Sequence, residues 1–343
     1  MLTALITGVS GEVLTPDEVA FLKLVRPCGF ILFSRNCTSH AQIRTLVDGV
    51  KSAVGADDML VLIDQEGGRV QRLRPPLGRA LPPAAAYAQL YRKSPQEACR
   101  AARQAARLVA EDLLALGINT NCAPVLDVPV PGAHDVIGDR AYGATTGPIS
   151  ELGRSAAEGF LDGGMLPVIK HIPGHGRANA DSHHDLPIVT ASRAELSKTD
   201  FAPFRALNDM PLAMTAHVVF TSVDAAEPAS TSAIVTHDVI RGEIGFDGLL
   251  MSDDLSMKAL KGSIRSRAEA VIRAGSDVAL HCNGDLAEMR QAALGCPKLA
   301  GAALKRFERA QQLLKVRNPF DRGVAEGLLA AVLAGHSAAP ESV

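Results

Sequence analysis

The chain contains no tryptophan, and aromatic residues make up only 4% of it, so its core is expected to be aliphatic. It has no run of 18 or more apolar residues, so no segment reads as a membrane-spanning helix. Neither sign of charge is in excess: 35 Lys and Arg stand against 37 Asp and Glu, a net charge near −2. Without a basic surplus, neither nucleic acid nor an anionic membrane is expected as the main partner. Cysteines are few and scattered (Cys28, Cys37, Cys99, Cys122, Cys282, Cys296), with no C-x-x-C pair. That spacing reads as free thiols in a reducing cytoplasm. The opening residues carry no basic segment, and their apolar stretch is soon broken by Gly8 and Gly11, unlike a secretory signal. The first strand runs into Gly8-Val-Ser-Gly11, which is not G-x-G-x-x-G, and there is no Walker loop.

What is present is an ordinary globular composition, 47% hydrophobic and 21% charged over 343 residues, which excludes intrinsic disorder. Short apolar runs alternate with longer helical patterns. The runs are Ala4–Thr7, Phe30–Phe33, Leu60–Asp64, Ile118–Cys122, Leu166–Lys170, Ala213–Ala216, Leu249–Ser252 and Val278–His281. Most are continuous rather than alternating, as in parallel strands buried on both faces. Helix starts are marked by Thr15-Pro-Asp-Glu18, Ser94-Pro-Gln-Glu97, Ser39…Gln42, Ser192…Glu195 and Ser266…Glu269, each offering a hydroxyl cap and a reciprocal partner three residues on. Gly117 reads as the C-cap of the long Ala-rich helix that starts after Ser94. This pattern predicts an α/β fold, a single-domain (β/α)8 TIM barrel over residues 1–320. An Ala-rich C-terminal helix or tail follows over 321–343. A doubly wound sheet is the alternative, and the missing glycine fingerprint argues against it.

Polar residues that are expensive to bury cluster just after the apolar runs, where a barrel presents its active site. Strand three ends in Asp64-Gln-Glu66-Gly-Gly-Arg69-Val-Gln-Arg72. These carboxylates and arginines can bind sugar hydroxyls or a carboxylate, or form surface ion pairs in a solvated loop. Asp139-Arg140 follows strand four and adds a cation. Strand five ends in Lys170-His171-Ile-Pro-Gly-His175-Gly176, followed by Asp181-Ser-His183-His184-Asp185. Such density allows a metal site. It equally allows a His–Asp acid/base dyad, with Asp181 holding the tautomer of His183. The Pro and Gly content of 172–180 reads as a mobile loop. His217 closes strand six and reads as a hydrogen-bonded structural histidine. Strand seven ends in Ser252-Asp253-Asp254, where one carboxylate is free to cap the next helix and the other to face the barrel mouth. The residues alone therefore suggest a hydrolase acting on a polyhydroxylated substrate.

The motifs Ile63-Asp-Gln-Glu-Gly-Gly-Arg-Val-Gln-Arg72, Gly138-Asp-Arg-Ala-Tyr-Gly143, Lys170-His-Ile-Pro-Gly-His-Gly176, Asp181-Ser-His183 and Phe246-Asp-Gly-Leu-Leu-Met-Ser-Asp-Asp-Leu-Ser-Met257 resemble those of the β-N-acetylhexosaminidases of glycoside hydrolase family 3, in the family's order. The resemblance implies a cytoplasmic bacterial exo-β-N-acetylglucosaminidase. It would remove N-acetylglucosamine from muropeptides (GlcNAc-1,6-anhydroMurNAc-peptides) during cell-wall recycling, with no cofactor and no metal. By position, it assigns Asp253 as nucleophile and His183, paired with Asp181, as acid/base. Asp64, Arg72, Arg140, Lys170 and His171 would bind the sugar. Ile172 stands where the family usually has Phe. Many family 3 β-glucosidases take their acid from a second C-terminal domain, for which this chain has no room after the eighth strand, so the donor is expected within the barrel.

The expected partner is a small glycan or muropeptide, with no nucleic acid and no membrane, and the expected state is a monomer. Three alternatives remain at this level. One is a metal-dependent barrel hydrolase using His171, His175 and His183. Another is a non-catalytic sugar-binding protein on the same fold, disfavoured by the presence of Asp253. The third is a phosphate-dependent phosphorylase.

Overall fold

The computed structural model describes residues 1–178, 180–182 and 186–337. Each apolar run forms a strand of one closed barrel: β1 (Thr3–Thr7), β2 (Pro27–Leu32), β3 (Leu60–Ile63), β4 (Thr120–Asn121), β5 (Leu166–Ile172), β6 (Leu212–Thr215), β7 (Leu249–Asp254) and β8 (Val278–His281). Neighbouring strands pair in parallel, and β8 closes on β1 through Leu5 opposite Ala279. Helices occupy every crossover. This is the (β/α)8 barrel expected from the sequence. Among the described residues, no helix is long and apolar enough to cross a membrane.

The strand parity decides what faces inward. Leu60, Leu62, Leu166, Val168, Leu249, Met251, Val278 and Leu280 form an interior cluster, while Val61, Ile63, Ile169, Leu250 and Ala279 join the larger core under the helices. Side chains alternate with a period of two, so residues two past an inward one also point inward. Asp64, Lys170 and Asp253 are in phase with these inward residues. β4 is shorter than the run Ile118–Cys122, although Asn119 N and Cys122 N still donate to Val61 O and Ile63 O of β3. Alignment with β5 continues past it: Val168 N and Lys170 N donate to Ala123 O and Pro124 O, Leu126 N donates to Lys170 O at 2.7 Å, and Val125 bridges Lys170.

The caps follow the sequence with two exceptions. Thr15 forms a reciprocal box with Glu18, and Ser39 and Ser192 accept from Gln42 N and Glu195 N. Gly117, at φ +81°, lets Gly117 N reach Leu114 O at 3.0 Å and Ile118 N reach Leu113 O at 3.1 Å, closing the Pro95–Leu114 helix in a Schellman motif. Ser94 occupies the cap position without a side-chain bond. Ser266 is not a cap: the helix begins at Ile264, and Ser263 accepts from Ser266 N, because that serine already stands outside the first turn.

Helix Gly301–Leu313 adds Phe307 and Ala310 to the interior cluster, and just before it Leu299 N donates to Leu2 O, so this segment closes the N-terminal mouth. Helix Arg322–Ser337 buries Ala325, Leu329 and Val332. Ahead of it, the Arg107 guanidinium stacks 4.5 Å from the Phe320 ring centre. Phe307 is 3% exposed. Phe307→Ala should therefore cost about 3–5 kcal/mol of stability, read from urea unfolding.

Candidate active site

At the C-terminal mouth a cavity of about 250 Å³ is lined by Asp64, Glu66, Arg72, Arg140, Lys170, His171, His175, Ser182, Asp253 and Asp254 together with apolar walls. Its floor is an ion cluster. Lys170 Nζ lies 2.9 Å from Asp64 Oδ1 and 2.6 Å from Glu66 Oε1. Arg72 Nη2 donates to Asp64 Oδ2 at 2.9 Å. Arg140 grips Glu66 with Nε and Nη2, both at 2.8 Å. The Lys170 side chain is 3% exposed and that of Glu66 8%, so these are not the surface pairs of a solvated loop. Burial raises the Asp64 carboxyl, but Lys170 and Arg72 outweigh it and hold it well below the usual carboxylate range. Burial likewise opposes ionisation of Glu66, and Arg140 and Lys170 bring it down to about 2. Burial works to lower Lys170, yet its two carboxylates keep it above the ordinary lysine value.

The loop after β3 is held by its amides. Asn121 Oδ1 accepts from Gln65 N at 2.9 Å and Asn121 Nδ2 donates to Gln65 O at 3.0 Å. Gln65 and Gln71 both donate to Leu73 O. Gln65-Glu-Gly67 pairs with Val70-Gln71 as a short hairpin, which aims Asp64 and Glu66 at the cavity. Glu66 bridges two of the residues expected to bind sugar, Lys170 and Arg140, a part not assigned to it from sequence.

Asp127 is the other residue missed. It is fully buried beyond Pro124, accepting from His171 N at 3.2 Å and His175 N at 2.7 Å, and pairing with His171 Nδ1 at 2.7 Å. The available signal was a lone carboxylate inside the apolar stretch Ala123–Val130 after strand four. Because Asp127 holds both backbone amides, the first part of the expected mobile loop is fixed: Pro173, Gly174, His175 and Gly176 are all buried. A Cβ on Gly176 would meet Val128 O at 2.1 Å, so the backbones pack directly.

Asp254 does not cap a helix, since the next one starts ten residues on. It accepts from Ser256 N and Cys282 N, each at 3.0 Å, and from Ser256 Oγ. Asp253 Oδ1 accepts from Asp254 N at 2.8 Å. His217 is buried, with Nδ1 2.7 Å from Ser230 Oγ and Nε2 3.0 Å from Asp254 O, a structural arrangement as expected. Asp181 is half-buried. His183, with His184 and Asp185, lies outside the described residues. Among the described residues no group of His, Cys, Asp or Glu is arranged to hold a metal ion.

These groups set the acid response. Burial and His171 depress His175 to about 4, and burial depresses His217. An unfolded histidine binds its proton near pH ~6.5, so the stability His175 contributes above that pH is lost as pH falls toward about 4, and His217 loses its contribution in the same direction. Asp64 and Glu66 have depressed values, so their contribution persists down to about pH 4 and is lost below it. Calorimetric unfolding temperatures should therefore fall in two stages on acidification. His175→Leu should flatten the first stage. Glu66→Gln should flatten the second and cost roughly 3–5 kcal/mol at neutral pH, because it leaves Lys170 and Arg140 short of a charge partner.

The sequence of the glycosyl hydrolase family 3 N-terminal domain matches residues 14–312. A β-hexosaminidase of Bordetella pertussis is 39% identical over 284 residues, covering 82% of this chain and 80% of that protein. A crystal structure of NagZ from Neisseria gonorrhoeae in complex with N-trifluoroacetyl-D-glucosamine superposes with a TM-score of 0.85 at 32% identity, covering 96% of this chain and 98% of that one. A family 3 β-N-acetylglucosaminidase from Paenibacillus sp. superposes with a TM-score of 0.83 at 30% identity, covering 97% of this chain and 67% of that one. Residues 14–312 contain seven of the eight barrel strands and every cavity residue named above, and the chain belongs to glycosyl hydrolase family 3.

Proposed function

We propose that the chain is a retaining exo-β-N-acetylglucosaminidase that works through a covalent glycosyl-enzyme. The observation that carries this reading is the placement of Asp253. It follows the inward residues Leu249 and Met251 on β7 and lines one cavity with Asp64, Arg72, Arg140, Lys170 and His171. Its neighbour Asp254 spends its carboxylate on Ser256 and Cys282. Asp253, in phase with the inward residues, is in this reading the carboxylate that attacks the anomeric carbon. The NagZ structure from Neisseria gonorrhoeae, which holds an N-acylated glucosamine, supports an amino sugar as the glycone.

In this reading the ionised Asp64 accepts from sugar hydroxyls, while Arg72, Arg140, Lys170 and His171 donate to them. His183 protonates the leaving oxygen in the first step and takes a proton from water in the second, with Asp181 steadying its imidazolium. A neutral imidazole suits a site that already holds a carboxylate nucleophile, because a second carboxylate would raise the pKa of the first. The substrate class is the GlcNAc-anhydroMurNAc-peptide of cell-wall turnover, which the motif resemblance supports.

Asp253→Asn should abolish nearly all turnover with the fold intact, and a 2-acetamido-5-fluoro glycosyl probe should label a peptide containing Asp253. Label on Asp64 or Asp254, or an inverted product anomer, would overturn the assignment. A positioned acid contributes about 10²–10⁴-fold. The loss in His183→Ala should therefore be severe for a sugar leaving group and mild for an activated phenol in single-turnover glycosylation. Mass spectrometry of a purified muropeptide should show free N-acetylglucosamine, with no sugar 1-phosphate when phosphate is added.

A further inference from the structure

We infer that His175 and Ser182 are a positioning pair that sets the acid/base segment against the nucleophile's strand. His175 Nε2 lies 3.1 Å from Ser182 Oγ, and each residue is 3% exposed. Ser182 is the residue that joins Asp181 to His183 in the chain, so the pair acts on the segment that carries the dyad. The other side of Ser182 is also held: its carbonyl accepts from Ala259 N at 3.3 Å, on the loop that leaves β7 after Asp253. His175 is itself anchored, since its N–H donates to Asp127 Oδ1 at 2.7 Å. The same carboxylate orients His171, whose ring meets that of His175 edge-on at 5.6 Å between centres. One line of contacts therefore runs from the sugar-binding His171 through Asp127 and His175 to Ser182, and on to the loop of the nucleophile.

The residue type supports the role. Nδ1 of His175 is buried with no partner among the described residues, so Ser182 is what the ring engages as a polar group there. Burial and His171 hold the imidazole neutral down to about pH 4, so it serves as a hydrogen-bonding group rather than as a charge. An apolar side chain would fill the same space without an unpaired nitrogen. What the imidazole adds is its hold on the Ser182 hydroxyl.

The inference rests on His183 being the proton donor, and the experiment separates the two. Ser182→Ala, Ser182→Thr, His175→Leu, the Ser182→Ala/His175→Leu double variant and His183→Ala are compared on methyl and 2,4-dinitrophenyl β-N-acetylglucosaminides, with thermal unfolding as the folding control. A misplacement near 1 Å costs on the order of 10²-fold, so Ser182→Ala should lose about 10–100-fold in kcat/KM on the methyl glycoside and under about 3-fold on the dinitrophenyl glycoside. Ser182→Thr, which keeps the hydroxyl, should restore the methyl glycoside activity. The double variant should lose no more than the worse single one, because both changes remove one interaction. Should His175→Leu not fold, Ser182→Ala and Ser182→Thr decide the matter alone. Equal losses on both substrates in Ser182→Ala, or no loss on either, overturn the inference, while a leaving-group contrast in His183→Ala leaves the donor assignment standing. If His183→Ala itself shows no contrast, the donor assignment fails and the positioning role falls with it.

Discussion

The Lys170 ammonium, enclosed between Asp64 and Glu66, is the contact on which the rest of the mouth depends. An isolated ammonium at that depth would be deprotonated, and two carboxylates so close together would not both ionise. Placed together, with Arg72 on Asp64 and Arg140 on Glu66, they sustain one another. Each member then presents a fixed charge to the cavity at neutral pH. Binding hydroxyl groups needs such pre-set donors and acceptors, because a side chain that must first reorganise gives up part of its interaction energy. The cluster joins the ends of β3 and β5 to the loop after β4, so it also ties three segments of the barrel to one geometry.

A second organising group works through the backbone. Asp127 takes two N–H groups of the segment after β5 and the Nδ1 of His171. A buried carboxylate needs several donors to remain ionised, and the chain supplies them from the very turn that must be shaped. Asp254 has the same kind of task at the end of β7, accepting from Ser256 and Cys282. The adjacent aspartates at 253 and 254 thus divide their work by strand parity: one follows the inward set and the other fastens β7 to β8. The same two contacts fix the rings of His171 and His175, through Asp127 and Ser182.

The barrel was legible in the sequence because its strands are nearly continuous apolar runs and its helix starts carry explicit caps. Asp64, Lys170, His171 and Asp253 were legible as polar residues at the ends of buried runs and Arg72 and Arg140 as cations in the loops that follow, and the motif resemblance selected them. Glu66 and Asp127 were harder to find. Glu66 looks like any acidic loop residue until Arg140, 74 positions away in the chain, closes on it. Asp127 lies beyond the short strand β4, so no strand pattern pointed to it. The sequence also assigned mobility to residues whose backbone is in fact hydrogen-bonded, because Pro and Gly mark loops and close backbone packing alike.

The sequence by itself determined the class of fold, the period of the strands and the chemical types gathered at their ends, since these depend on local alternation, capping and the cost of burying polar groups. Only the tertiary structure decided which charges pair, that Asp254 accepts from the backbone at the end of β8, and that Asp127 ties the segment after β5 to the loop after β4. Those choices depend on barrel closure, which brings residues dozens of positions apart within 3 Å and removes the water that would otherwise satisfy each of them separately.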